Sequence, residues 1–264
     1  MRLERFRTAK REELAALRAL ADRGALPAPS GGVRPDFRAV LRRDAAGLPA
    51  VIAEYKRASP SRGVIREDMD AAEAARRYAD GGAAAISILT EERFFKGSLA
   101  YLAEAAATLG AACPPLLRKD FIFDPLQIAA TAATPASALL LIVRLTPEAA
   151  VLRALREQAE RFGMQAVVEV FDAEDLRLAR QSGARIIQVN ARDLETFAVD
   201  INAGLELIRR YPPEERERWI AASGLSRPEH LRAAAGAGYD AVLMGTALME
   251  RNDPGAALRA LLRG

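Results

Sequence analysis

The chain has 264 residues, half of them hydrophobic and 28% charged, with a formal net charge of +3. That balance can bury a large core, and its interspersed charges lack the basic runs and aromatic-interleaved patches of a nucleic-acid binder. A single cysteine, Cys113, and a single histidine, His230, exclude an intramolecular disulfide and a multi-histidine metal site, so metal-free chemistry in a reducing compartment is the expectation.

The opening stretch, MRLERFRTAKREEL, is charged throughout and has no signal-peptide core. The longest aliphatic run, 138–143, is too short to span a bilayer, and a soluble cytoplasmic protein without membrane contact is expected. Residues 3–22 read as one amphipathic helix, with Leu3, Phe6, Leu14, Leu17 and Leu20 near the helical period. The prolines and glycines of 25–36 end it, and a short helix is expected over 37–43. From residue 51 the pattern becomes strand, loop, helix, repeated. Strands are expected over 51–56, 84–89, 115–119, 138–143, 166–170, 186–190, 219–223 and 241–245. Helices are expected over 69–80, 99–109, 125–133, 147–162, 173–181, 203–211, 228–235 and 254–262.

Short, continuously apolar strands argue for a parallel sheet covered by helices. Eight such units favour an α/β protein built as a closed (β/α)8 barrel, or TIM barrel. An open doubly wound sheet is the runner-up, lowered because no dinucleotide glycine fingerprint follows the first strand. One domain over 1–264 is expected, with 1–48 a helical N-terminal extension and 49–264 the barrel.

In such barrels chemistry sits at the C-terminal strand ends. Those ends carry Glu54 and Lys56, Lys119, Glu169, and Asn190 with Arg192. Alternation aims Glu54, Lys56, Lys119, Glu169 and Asn190 into the barrel if their apolar neighbours two residues earlier also point inward. On the first strand alone a solvated edge reads equally well; the regular placement of charges at several strand ends favours a site. Two lysines and two carboxylates at one mouth suit acid–base catalysis, and a Schiff-base lysine stays open on these residues alone. The last two strands end in small residues, Ser223-Gly224 and Gly245-Thr246, which let backbone amides approach a phosphate.

With these residues in place the chain resembles the indole-3-glycerol-phosphate synthases of tryptophan biosynthesis. The matching stretches are VIAEYKRASPSRG (51–63), SILTEERFFKGSL (87–99), PLLRKDFIFDPLQI (115–128), VVEVFD (167–172), IIQVNARDLETFAVD (186–200), ASGLS (222–226) and VLMGTALM (242–249), with AKREEL (9–14) in the extension. The resemblance implies a lyase that closes the pyrrole ring of 1-(2-carboxyphenylamino)-1-deoxyribulose 5-phosphate and releases CO2 and water, without cofactor or metal. It implies Lys119 as the general acid on the substrate carbonyl and Lys56 as the partner of the anthranilate carboxylate and an acid for dehydration. Glu54 and Glu169 become bases or electrostatic partners, Asn190 orients substrate, and Arg192 supports the lysine–carboxylate network. Ser59, Ser223, Gly224, Gly245 and Thr246 would hold the phosphate, although Ser59 can equally cap its own turn. Phe94, Phe95 and Phe121 are candidates for a wall against the anthranilate ring, with core packing the competing role.

Three stretches depart from the family pattern, one of them Thr134-Pro135-Ala136-Ser137, which replaces a glycine-containing turn before the fourth strand, away from the catalytic face. Ala222 stands where the family carries a glutamate at the end of the seventh strand, and Gln188 stands where it carries a glycine on the sixth. Gln188, two residues before Asn190, should face inward and meet a space or polar demand altered by Ala222. The loss of that glutamate also raises an alternative: a low-activity or degenerate paralogue that binds a phosphorylated ligand. A related phosphate-binding barrel isomerase is a third reading, disfavoured by RKDF and EYK together.

Overall fold

The structure is a computed structural model and describes residues 2–263. Eight strands make the barrel: β1 (Ala50–Tyr55), β4 (Ala85–Leu89), β5 (Leu116–Ile122), β6 (Ala138–Ile142), β7 (Gln165–Val170), β8 (Ile186–Asn190), β9 (Arg218–Ala222) and β10 (Ala241–Met244). All neighbouring pairs are parallel, and β1 pairs with both β4 and β10, so the sheet closes on itself. A two-stranded antiparallel ribbon, β2 (Ala58–Ser59) and β3 (Gly63–Val64), follows β1.

The helices are α1 (Arg2–Ala9), α2 (Arg11–Asp22), α3 (Ala71–Asp80), α4 (Glu92–Phe95), α5 (Ala100–Leu109), α6 (Pro125–Ala132), α7 (Ala149–Arg161), α8 (Ala173–Gln181), α9 (Ile201–Arg210), α10 (Pro228–Ala237), α11 (Thr246–Met249) and α12 (Pro254–Arg263). Aspartates start four of them: the side chains of Asp70, Asp124, Asp172 and Asp200 accept the free N–H groups at the heads of α3, α6, α8 and α9.

Alternation along each strand divides the apolar residues into two shells. Val51, Ala53, Ile86, Ile88, Leu139, Leu141 and Val168 face outward and bury the inner stripes of the helices. Ile52, Ala85, Leu117, Leu140, Val167, Ile186, Ile220 and Leu243 fill the barrel itself. The interior is packed apolar material, so the polar residues at the strand ends stand on a dry floor.

Two expectations are corrected, and some short elements were not foreseen. The helix expected over 3–22 breaks at Lys10, which caps α2. The Lys10 ammonium is buried between Asp120 (2.6 Å) and Glu13 (2.7 Å), a demand that hydrophobic period does not reveal. The helix expected over 37–43 is a run of turns. Its backbone closes short local turns, Leu41 N–H donating to the Arg38 carbonyl, while Arg38 N–H donates to Gln165 Oε1 and Phe37 and Leu41 pack fully buried with the barrel-interior residues. The ribbon β2–β3 and the one-turn helices α4 and α11 lie inside loops, too short for any periodicity to reveal.

Candidate functional site

β1 ends with Glu54 buried and Lys56 half-buried, and the Lys56 ammonium lies 2.8 Å from Glu54 Oε1. The Tyr78 hydroxyl, donating to the Glu54 carbonyl, fixes the strand at this level. Burial pushes the Glu54 carboxyl up, but the neighbouring Lys56 and Lys119 ammonium groups outweigh it and hold it below the usual carboxylate range. Glu54 is therefore ionised at neutral pH.

Lys119 projects from β5, and its Nζ is 3.7 Å from Glu169 Oε2 at the end of β7. Strand β5 is irregular here: Arg118 pairs with Leu139 and Ile122 with Leu141, so three residues of β5 span the place of one on β6. The bulge turns Lys119, Asp120 and Phe121 all toward the mouth, where strict alternation would have hidden Asp120. Arg118 and Lys10 brace the bulge by gripping Asp120 at 2.9 and 2.6 Å.

On β8, Asn190 Oδ1 accepts from the Ser223 hydroxyl (2.8 Å) and from Arg192 N–H (3.0 Å). This bond ties the ends of β8 and β9 together. Ser223 and Gly224 are both left-handed, with φ of 73° and 80°. A Cβ on Gly224 would sit 2.5 Å from Val199, so only glycine lets this turn pass. Gln188 faces inward as expected, but its amide donates to Glu169. Its register partner on β9 is Ile220, and Ala222 lies opposite Asn190. The expected compensation between Gln188 and Ala222 is replaced by a Gln188–Glu169 bond.

The mouth holds two adjoining clefts. The first is lined by Glu54, Lys56, Lys119, Glu169 and Asn190, with Leu140, Ile142 and Leu243 as its apolar base. Its wall is aromatic. Phe121 stacks on Phe6 with centroids 4.1 Å apart, and Phe95 lies 6.2 Å from Phe121. Phe95 rides on α4, where the N–H groups of Arg93, Phe94 and Phe95 donate to the Glu91 carboxylate. Phe94 packs on Phe6 in the core. The second cleft is polar, lined by Arg62, Arg192, Ser223, Gly224, Gly245 and Thr246, with Lys56 and Glu54 at the junction. Burial, and then the charge of Arg62 nearby, lowers the Arg192 guanidinium below its usual range. Such a crowding of cations favours an anion.

Of the residues expected at the site, all but Phe94 line one of the two clefts, and the contacts of Ser59 and Arg192 bear on their roles. Ser59 lines the aromatic cleft, and its hydroxyl accepts Arg62 N–H at 3.2 Å. It shapes the turn that presents Arg62. Arg192 donates to the Phe197 carbonyl at 3.0 Å and forms no ion pair among the described residues. Gly245 also gains a second reason: a Cβ there would lie 2.5 Å from Glu54 Oε1 and 3.1 Å from Lys56 Nζ. Gly245→Ala is expected to prise that pair apart and lower kcat/KM by about 10²-fold, measured by steady-state kinetics with the circular dichroism spectrum unchanged.

Sequence reasoning gave Phe6, Arg62 and Asp120 no role at the site. Phe6 carries the same periodic signal as any core residue of α1, and only tertiary docking sets it over the mouth. Arg62, a base in the turn after the first strand, was legible as a neighbour of the Ser-Pro-Ser segment. Asp120 was hidden by the bulge. Among the described residues no three His, Cys, Asp or Glu side chains converge as a metal site requires.

The sequence model described as indole-3-glycerol phosphate synthase matches residues 3–261. A relative of that name from Carboxydothermus hydrogenoformans is 43% identical over 228 residues, covering 85% of this chain and 83% of the relative. Another from Albidiferax ferrireducens is 40% identical over 263 residues, covering 98% of this chain and 97% of its own length. Among solved structures, a 3-hexulose-6-phosphate synthase from Salmonella typhimurium superposes with a TM-score of 0.64 at 15% identity, covering 81% of this chain and 97% of the other. That last likeness concerns the fold alone.

Proposed function

The chain belongs to the indole-3-glycerol phosphate synthase family, and from that premise we propose that Lys119 is the general acid of its ring closure and Lys56 the partner of the substrate carboxylate. The activity is that of a carbon–carbon lyase on a phosphorylated, anthranilate-derived substrate. It closes the ring of 1-(2-carboxyphenylamino)-1-deoxyribulose 5-phosphate and releases CO2 and water. In the closure, the anthranilate carbon bearing the carboxylate attacks the ribulose carbonyl carbon. The carbonyl oxygen takes a proton from the Lys119 ammonium as the new bond forms. The ring is left cationic, and loss of CO2 returns the electron pair of the broken bond to it. A proton then leaves the closed ring and the new hydroxyl departs as water, restoring aromaticity.

The observation that carries this reading is the pairing of each lysine with its own carboxylate: Lys56 with Glu54 at 2.8 Å and Lys119 with Glu169 at 3.7 Å. Two separate ammonium groups serve two oxygens of the substrate, its carboxylate and its carbonyl. Glu54, held ionised by the lysines, and Glu169 face the cationic intermediate and the protons that must leave. Phe6, Phe95 and Phe121 supply an apolar wall for a benzene ring. Arg62, Arg192, Ser223, Gly224, Gly245 and Thr246 form the phosphate end. Both carboxylate–lysine pairs are intact without a carboxylate at Ala222, which supports an active enzyme over a degenerate paralogue.

No helix of the described residues is long and apolar enough to cross a membrane, and a reduced Cys113 with a biosynthetic activity supports a cytoplasmic enzyme. Purified protein given the substrate should generate indole fluorescence at a steady rate. Absence of product at saturating substrate would remove the activity and restore the ligand-binding paralogue.

A further inference from the structure

β8 carries an amide where barrel interiors are ordinarily filled by branched aliphatic residues. Gln188 is fully buried, in line with Ile186 and Asn190 on the inward face, and lies opposite Glu169 in the ladder. Its Nε2 donates to Glu169 Oε2, while its Oε1 is buried with no partner among the described residues. An amide oxygen buried without a donor costs about 1–3 kcal/mol. Stability alone therefore does not account for glutamine here.

The oxygen that Gln188 holds is the same one that faces Lys119, at 3.7 Å. That separation is too long for a hydrogen bond. The directional bond fixing the carboxylate is thus the one from Gln188, and the Lys119 ammonium keeps its hydrogens for the mouth. Ile142, in register with Glu169 on β6, brings no charge. The other charged groups lining this cleft are each engaged elsewhere: Glu54 with Lys56, Asp120 with Arg118 and Lys10, Glu91 with the head of α4, and Arg192 with the Phe197 carbonyl.

We infer that Gln188 is a positioning residue that anchors Glu169 and holds it off Lys119, leaving the ammonium available to the substrate carbonyl. This rests on the roles proposed above for Lys119 and Glu169. Without the amide, the carboxylate is free to rotate into a direct charge-assisted pair with Lys119, of about 2.7–2.9 Å. A lysine held that way meets the carbonyl less often and gives up its proton less readily. Binding of the substrate's carboxylate and phosphate, made elsewhere in the mouth, is untouched.

Gln188→Met keeps the side-chain length and removes both polar atoms. Its kcat is expected to fall about tenfold with KM within about twofold, and its melting temperature to hold or rise because the orphaned oxygen is gone. Glu169→Gln should lower kcat by itself. In that background, Gln188→Met should cause no further fall, since its effect passes through the carboxylate. A Gln188→Met enzyme with unchanged kcat, or one losing the same factor in both backgrounds, overturns the inference. If Glu169→Gln lowers kcat and Gln188→Met does not, the inference alone falls. If Glu169→Gln turns over normally, the proposed role of Glu169 and the inference fall together. Gln188→Leu repeats the test should the methionine variant not fold, and failure of both to fold assigns Gln188 to structure and also overturns it.

Discussion

Replacing Lys119 by methionine is expected to lower kcat by about 10²–10⁴-fold and to shift the melting temperature by only a few degrees. Methionine matches the stem of the lysine but has no proton to give the substrate carbonyl. The small stability effect follows from the surroundings. The Lys119 side chain is 18% exposed at an open mouth, and its ion pair with Glu169 is 3.7 Å long. Glu169 keeps its bond from Gln188, and Glu54 keeps Lys56. Steady-state fluorescence kinetics and a thermal melt on one preparation check both halves. Turnover within tenfold of the parent would remove Lys119 as the acid.

Arg118→Met should do the reverse first, striking stability before chemistry. Arg118 is 1% exposed, and its guanidinium donates to Thr90, Thr131, the Gln127 carbonyl, Glu13 and Asp120. Removing one partner from a buried charge network costs about 3–5 kcal/mol, and the melting temperature should fall on the order of 10 °C. The penalty has a defined pH signature. Burial pushes the Asp120 carboxyl up, but the charges of Arg118 and Lys10 outweigh it and bring it from 3.8 down to about 2. A carboxyl depressed on folding contributes its stability fully above its unfolded value and loses it as pH falls through the folded one. The stability gap between parent and variant should therefore be complete at pH 6, narrow below about pH 4, and be smallest near pH 2. Urea melts at several pH values would show it, and a gap constant down to pH 2 would sink the assignment. Because Arg118 and Asp120 flank Lys119 on the bulge, turnover of the folded variant should fall too.

Much of the site was legible because it lies on strands. Glu54, Lys119, Glu169, Gln188 and Asn190 are strand residues, and a period of two fixes which way each points once the barrel is recognised. The glycines at 224 and 245 were legible as close-approach positions, though only the structure shows what approaches: Val199 at one, and the Glu54–Lys56 pair at the other. The resemblance also put its expected phosphate site at the last two strand ends, where the second cleft lies.

What local pattern left open depends on groups far apart in the chain. Lys10 breaks the first helix because Asp120 is its partner, and no window of sequence contains both. Phe6 becomes part of the aromatic wall by stacking on Phe121, more than a hundred residues away. The bulge in β5 brings Asp120, its side chain still buried, to the lining of the mouth, where Arg118 and Lys10 bind it. Composition, strand period and strand-end chemistry thus determined the barrel, its catalytic face and the lysine–carboxylate set, since each depends on neighbours within a few residues. The roof over the mouth, the buried charge network behind Lys119 and the anchoring of Glu169 by Gln188 were decided by tertiary structure. Their energies come from desolvated pairs that exist only when the barrel has closed.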